Sequence, residues 1–218
     1  MNCTVIDTGD SRSFPGPHKL LQHGARDGDV VLLIGAGAGT ALAKWLGRTD
    51  KEAILVELGT ECLGVHTGEG RGEEGSNVLG FARFHLGQAE PSNLVELVRQ
   101  PRTLPTAIAA AKALFEGAGL QVAVCYDFAG RIVDRLVRPY YNAALRRLDE
   151  GLATADDMDA TLRMGLGYPE GPIALLERTG LAHHFDVSQA LFEQYGEAPY
   201  APARRARVAK QRQLEGKN

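Results

Sequence analysis

Over the first 127 residues, short apolar runs alternate with helical patterns. The segments "TVID" (4–7), "VVLLIG" (30–35), "AILVEL" (53–58), "VLGFARF" (78–84) and "LQVAVCY" (120–126) read as strands. Several are almost unbroken in Val, Ile and Leu, as in strands covered on both faces, and this predicts a mostly parallel sheet. Between them "GTALAKWLGR" and "LPTAIAAAKALFEGAG" read as helices, the second ending at Gly117 or Gly119. Such alternation predicts an α/β layer fold. The glycine-rich, acidic stretch "TECLGVHTGEGRGEEGSN" (60–77) breaks the rhythm and reads as a long loop.

After Asp127 the strand pattern stops. Apolar residues at 132, 133, 136, 137, 140, 141, 144, 145 and 148 make a wide helical stripe that must be buried. Pro139 lies inside it and removes one helix hydrogen bond, which predicts a kink. In "TADDMDATLRMGLG", Thr154 is placed to cap a helix, with Asp157 at the third helical position. "GPIALLERTG" and "HFDVSQALFEQYG" supply two more helices. The basic tail "ARRARVAKQRQLEGKN" has few large apolar residues and reads as a frayed helix or a disordered end. The expected layout is an α/β domain over 1–127 and an all-helical domain over 128–218.

Composition narrows the function classes. The 218 residues carry 44% hydrophobic and 23% charged residues, ordinary for a globular protein, and a net charge of −3 argues against nucleic-acid binding. No apolar run approaches the roughly 18 residues that span a bilayer. "MNCTVIDTGD" lacks a leader pattern, so a cytoplasmic protein without membrane partners is expected. Cys3, Cys62 and Cys125 form no CxxC pair and read as free thiols. His183 and His184, with Asp186 nearby, lack a third ligand, so no metal site is expected. His66, near Glu69, Glu73 and Glu74, reads as part of a solvated loop.

The stretch "AGRIVDRLVRPYYNAALRRLDEGLATADDMDATLRMGLGYPEGPIALLERTGL" is specific. It resembles the C-terminal domain of the 3-hydroxyacyl-CoA dehydrogenases: that family's Gly-Phe-Ile-Val-Asn-Arg helix, its acidic Asp-Ile-Asp helix and its Gly-Tyr-Pro-x-Gly-Pro turn follow in order. The likeness covers about residues 94 to 200. It implies a shortened Rossmann-like sheet followed by a helical domain like the C-terminal part of 6-phosphogluconate dehydrogenase. It also implies a homodimer built through those helices, and hydride transfer between NAD and a 3-hydroxyacyl-CoA, as in fatty acid metabolism.

In that chemistry a histidine takes the hydroxyl proton and a carboxylate orients it. The family motif is a His-Phe-Phe-Asn-Pro loop after a strand, then Leu-Val-Glu at a helix start. Here Leu94-Val95-Glu96 matches, so the resemblance gives Glu96 the orienting role and His85 the acid/base role. Counted back from Glu96, His85 falls one residue short of the family spacing. Counted forward from Val78-Leu79-Gly80, the histidine slot falls on Ala82 and His85 takes the asparagine place. Asp134 stands where the family has its helix asparagine, either beside the dyad or as an Asp134–Arg138 pair one turn apart, worth a few tenths of a kcal/mol if exposed. "GTECL" stands for the family's Asn-Thr-Ser-Ser substrate loop, keeping Thr60 and placing Glu61 and Cys62 at the serine positions.

"VLLIGAGAGTAL" fits two registers. As a nucleotide fingerprint, Gly35, Gly37 and Gly39 would face a pyrophosphate and Glu57 would bind the ribose, although Thr40 stands where the last glycine belongs. As a later strand of the family sheet, it implies that the usual nucleotide-binding half is replaced by residues 1–26 and that NAD binding is lost or rebuilt. Two rival readings follow: a catalytically inactive acyl-CoA or nucleotide-binding homodimer, and an enzyme for another hydroxy acid on the same architecture.

Overall fold

Six strands form one sheet in the order β1-β2-β3-β4-β5-β6 in the computed structural model, which describes residues 3–22, 24–68, 70 and 76–216. They are β1 (Cys3–Asp7), β2 (Val30–Ile34), β3 (Ala53–Glu57), β4 (Val78–Arg83), β5 (Leu94–Arg99) and β6 (Gln121–Tyr126). Neighbours pair in parallel except β4 with β5. The mostly parallel sheet read from the apolar runs is therefore present. One strand differs from expectation: Leu94–Arg99 is β5, where the resemblance put a helix start. Its side chains alternate, Val95 and Leu97 joining one core layer and Val98 the other, so the period is two and not 3.6.

The same alternation runs through the first strands. Val30, Leu32 and Ile34 face the layer that holds helix α4 (Pro105–Gly117), together with Phe14 and Leu20. Leu20 lies in the short helix α1 (Lys19–Gln22). Val31 and Leu33 face the layer of α2 (Ala38–Leu42) and Leu63, the residue before α3 (Gly64–Thr67). α2 is shorter than "GTALAKWLGR" suggested, because no side chain caps it at Gly37 and Gly47 turns the chain at φ 79°. α3 lies inside the segment read as a loop. Glu69, Glu73 and Glu74 of that segment fall outside the described residues.

The chain divides into two compact units, one of residues up to Phe84 with Pro91–Ile132, the other of His85–Glu90 with 133–218. The second holds α5 (Val133–Asp149), α6 (Ala155–Leu166), α7 (Pro172–Thr179), α8 (Leu181–Tyr195) and α9 (Arg204–Leu214). α5 runs through Pro139. Thr154 caps α6 as read, its hydroxyl accepting from the Asp157 N–H at 3.2 Å. Asp159 accepts from the N–H groups of Ile173 and Ala174 at 2.9 and 2.8 Å and so caps α7. A Cβ at Gly171 would stand 2.2 Å from the Asp159 carboxyl carbon, which is why a glycine precedes Pro172 in "GYPEGP".

The basic tail is a correction. It forms α9 and is not a frayed or disordered end over Arg204–Leu214. Its small apolar residue Ala206 is fully buried, and two of its charges are paired: Arg205 with Asp149 at 2.6 Å and Lys210 with Asp186 at 2.8 Å. No described helix is long and apolar enough to cross a membrane.

Candidate functional site

Glu96 lies in the middle of the sheet's antiparallel ladder, 2% exposed. The register pairs it with Ala82. Directly opposed residues put their side chains on the same face, Cβ atoms about 5 Å apart. The residue set against Glu96 across the ladder is thus a methyl group. His85 stands past the end of β4, in the second unit, with Nδ1 2.9 Å from the Gly87 carbonyl. Gly87 has φ 54° and could not bear a Cβ, which would meet the Thr179 carbonyl oxygen at 1.6 Å. The His85 loop is therefore seated on the end of α7.

The Glu96 carboxylate has partners that the sequence reading missed. Oε1 accepts from the Ile132 N–H at 2.8 Å, and Oε2 lies 3.5 Å from Nε of Arg131. Arg131 is buried, takes a left-handed backbone (φ 52°) and donates from Nη2 to the Gly59 carbonyl at 2.7 Å. Its signal was present in the sequence: a charge stands in "AGRIVDR" where the resembling helix has phenylalanine. Thr60 joins the same junction through its carbonyl, which accepts from the Gly130 N–H at 2.8 Å.

Asp134 is not an exposed helix pair. Its Oδ1 accepts from Arg138 Nε at 2.7 Å, and Arg138 is 2% exposed. Arg138 Nη1 lies 3.1 Å from Nδ1 of His184, whose Nε2 lies 3.0 Å from Asn142 Oδ1. Burial first, and the Arg138 charge second, push the His184 pKa down to about 3. The neutral ring therefore accepts at Nδ1 and donates at Nε2. Asn142 Nδ2 in turn donates to the carbonyls of Pro199 and Tyr200, both at 3.2 Å. This chain of bonds ties α5 to α8 and to the turn before α9.

A pH dependence follows. Unfolded, His184 binds a proton near its ordinary 6.5; folded, only near 3. Its contribution to stability is complete above pH 6.5 and is lost as pH falls toward 3, at up to about 1.4 kcal/mol per pH unit. Urea unfolding of the wild type and of His184→Gln at a series of pH values should show this slope in the first and a shallower one in the second. Equal slopes would remove His184 as the cause.

The glycine run can be tested as a dinucleotide cradle. Gly35 has φ 94°, and a Cβ there would stand 2.4 Å from the Gly9 carbonyl oxygen. A Cβ at Gly37 would touch Thr8, and one at Gly39 would enter the His66 ring at 2.2 Å. Gly35 and Gly39 thus leave no room for a Cβ without a shift, and Gly37 leaves little. Glu57 is buried, with Oε2 accepting from the Gly35 N–H at 2.7 Å and Oε1 from the Ser13 N–H at 2.5 Å, so it holds loops together where the fingerprint needs a ribose ligand. The described strands run in sequential order, whereas dinucleotides bind such sheets where the order reverses. These residues do not fit the pyrophosphate and ribose of NAD.

A cavity of about 430 Å³ opens beside them, at the ends of β1, β2 and β3. Glu61 and His66 both line it, with His66 Nε2 3.2 Å from Glu61 Oε1. This corrects the reading of His66 as part of a solvated loop: it lies in α3, packed against Gly39. Among the described residues no group of three or more His, Cys, Asp or Glu could hold a metal ion.

The chain thus joins an α/β sheet unit to an all-helical unit. Residues 130–218 match the family model of the 3-hydroxyacyl-CoA dehydrogenase C-terminal domain. That match identifies the helical part as similar to the C-terminal domain of the 3-hydroxyacyl-CoA dehydrogenases. A 3-hydroxybutyryl-CoA dehydrogenase of Mycobacterium tuberculosis is 32% identical over 158 residues, 71% of this chain and 53% of that protein. The mitochondrial hydroxyacyl-coenzyme A dehydrogenase of Homo sapiens is 34% identical over 102 residues, 46% of this chain and 32% of that protein. The crystal structure of M. tuberculosis FadB2 matches with a TM-score of 0.66 at 25% identity, covering 87% of this chain and 66% of that one. The (S)-3-hydroxybutyryl-CoA dehydrogenase PaaH1 of Ralstonia eutropha shares the fold, with a TM-score of 0.67 at 24% identity and the same coverage. The chain spans about half the length of the mycobacterial relative.

Proposed function

We propose that the chain is an oxidoreductase of the 3-hydroxyacyl-CoA dehydrogenase type, acting between a 3-hydroxyacyl-CoA and its 3-oxo thioester with NAD as the hydride partner. The observation that carries this reading is the match of the helical unit to that family's C-terminal domain, together with relatives named as 3-hydroxybutyryl-CoA dehydrogenases. The resemblance further supports a homodimer joined through the helical unit. In this reading His85 is the acid/base, Glu96 orients it, Asp134 lies nearby, and Thr60 and Glu61 meet the substrate. NAD would be held by residues other than the glycine run and Glu57.

A second reading is an acyl-CoA-binding protein of this family without turnover, in which Glu96 serves Arg131 in place of a histidine. Ala82 stands across the ladder from Glu96, and Arg131 pairs with that carboxylate. One experiment separates the two. The purified chain is mixed with acetoacetyl-CoA and NADH, and absorbance at 340 nm is followed alongside calorimetric binding of each compound. Loss of absorbance that His85→Ala abolishes establishes the first reading. Binding of acetoacetyl-CoA with no turnover and no NADH binding establishes the second.

A further inference from the structure

The cavity at the ends of β1–β3 is built around a histidine–carboxylate pair, Glu61 with His66, of which the histidine belongs to no family motif. The cavity lies outside the carboxyl ends of these three strands. Its histidine is held from three sides. Asp127, at the end of β6, accepts from the N–H groups of Leu63 and Gly64 at 2.5 and 2.8 Å and fixes the start of α3. Gln100 donates to both Asp127 and Thr67, tying the other end of that helix to β5. The His66 ring then rests on Gly39, where even a methyl group would collide with it. Its Nε2 meets Glu61 Oε1, which also accepts from the Gly59 N–H at 2.9 Å.

Arg12 lines the same cavity and makes no ion pair among the described residues. Its Nη1 lies 3.7 Å from the point where a Cβ on Gly59 would sit, and that point is 2.6 Å from Glu61 Oε2. The guanidinium and the histidine–carboxylate pair thus face one small space. Asp10, Glu57 and Glu61 line it too, three carboxylates to one guanidinium. That balance disfavours a polyanion such as a pyrophosphate, and it admits a single carboxylate only in direct pairing with Arg12, the one guanidinium of the lining.

We propose that this cavity binds a small monocarboxylate bearing a hydroxyl or keto oxygen. Its carboxylate sits at Arg12, in the paired geometry that guanidinium favours. Its hydroxyl or keto oxygen sits at the His66–Glu61 pair. The ligand is a free short acid; the site shares Glu61 with the acyl-CoA reading, and the proposal involves no turnover.

Calorimetric titration of the full chain with 3-hydroxybutyrate and with acetoacetate tests it, read together with the NMR signals of the His66 ring. Binding is expected, with a shift of those signals. Arg12→Gln and His66→Gln should each weaken it about tenfold or more, since each removes one charge-assisted or imidazole contact. Gly39→Ala, which pushes the ring out of place, should weaken it as well, while Glu52→Gln on the exposed surface should not. Circular dichroism melting of each variant separates lost binding from lost fold. Absence of binding by both acids overturns the proposal. So does equal binding by folded Arg12→Gln and His66→Gln, or a His66 shift produced by acetoacetyl-CoA or inorganic pyrophosphate and not by the free acids. Because none of these readouts uses NADH consumption, failure here leaves the dehydrogenase reading to its own experiment.

Discussion

Arg138→Ala is expected to destabilise the helical unit by about 3–5 kcal/mol, the usual cost of breaking a buried pair from one side. The change leaves the Asp134 carboxylate without its donor and His184 Nδ1 without the N–H that faces it, in a region where Arg138 is 2% exposed. An exposed pair at the same spacing would cost only a few tenths of a kcal/mol. The second half of the test restores balance rather than charge. Asp134→Leu with Arg138→Met removes both ions and keeps apolar volume, and it should recover most of the loss. Urea unfolding followed at helical wavelengths measures both. A loss under about 1 kcal/mol in Arg138→Ala would mean that water reaches the pair.

Much of the sheet was legible because its strands are covered on both faces: "VVLLIG" and "AILVEL" admit no other placement in a globular chain. "LVELVR" was not, because a six-residue run with one charge fits a helix start as well as a strand. What settles it is Glu96, whose burial is supported by Ile132 and Arg131, which reach it from a distant part of the chain. No local pattern contains that information. α9 was hidden for a related reason. Its lack of large apolar residues looked like disorder, yet close packing on α8 suits small side chains such as Ala206, and two of the basic residues find acids on other helices.

The glycines show the limit of motif reading. The strand, turn and helix around Gly35, Gly37 and Gly39 occur in the order that a phosphate site needs. The same residues serve to let three segments approach closely: the turn after β1 at Gly35 and Gly37, and the His66 ring at Gly39. Sequence reports that a side chain is absent. Only the packing reports whether a ligand or the protein itself occupies the space.

Arg131→Leu should carry the second large effect, and its sign structure separates two roles for Glu96. If the carboxylate is held mainly by the guanidinium, Arg131→Leu alone costs about 3–5 kcal/mol, because Glu96 stays buried and loses its ion pair. Glu96→Gln alone costs a comparable amount, since it leaves the Arg131 charge buried. The double variant should then lie closer to wild type than either single one, giving a coupling of about 2 kcal/mol or more. On this pattern His85→Ala leaves the Glu96–Arg131 coupling unchanged. A working dyad predicts another pattern: His85→Ala and Glu96→Gln lose NADH turnover together, and Glu96→Gln is nearly neutral for stability. The two patterns differ in which partner Glu96 is coupled to. A cycle of four proteins by denaturation, with turnover measured on the same samples, therefore decides whether this carboxylate is retained to orient a proton acceptor or to neutralise an arginine that stands where the family carries a phenylalanine.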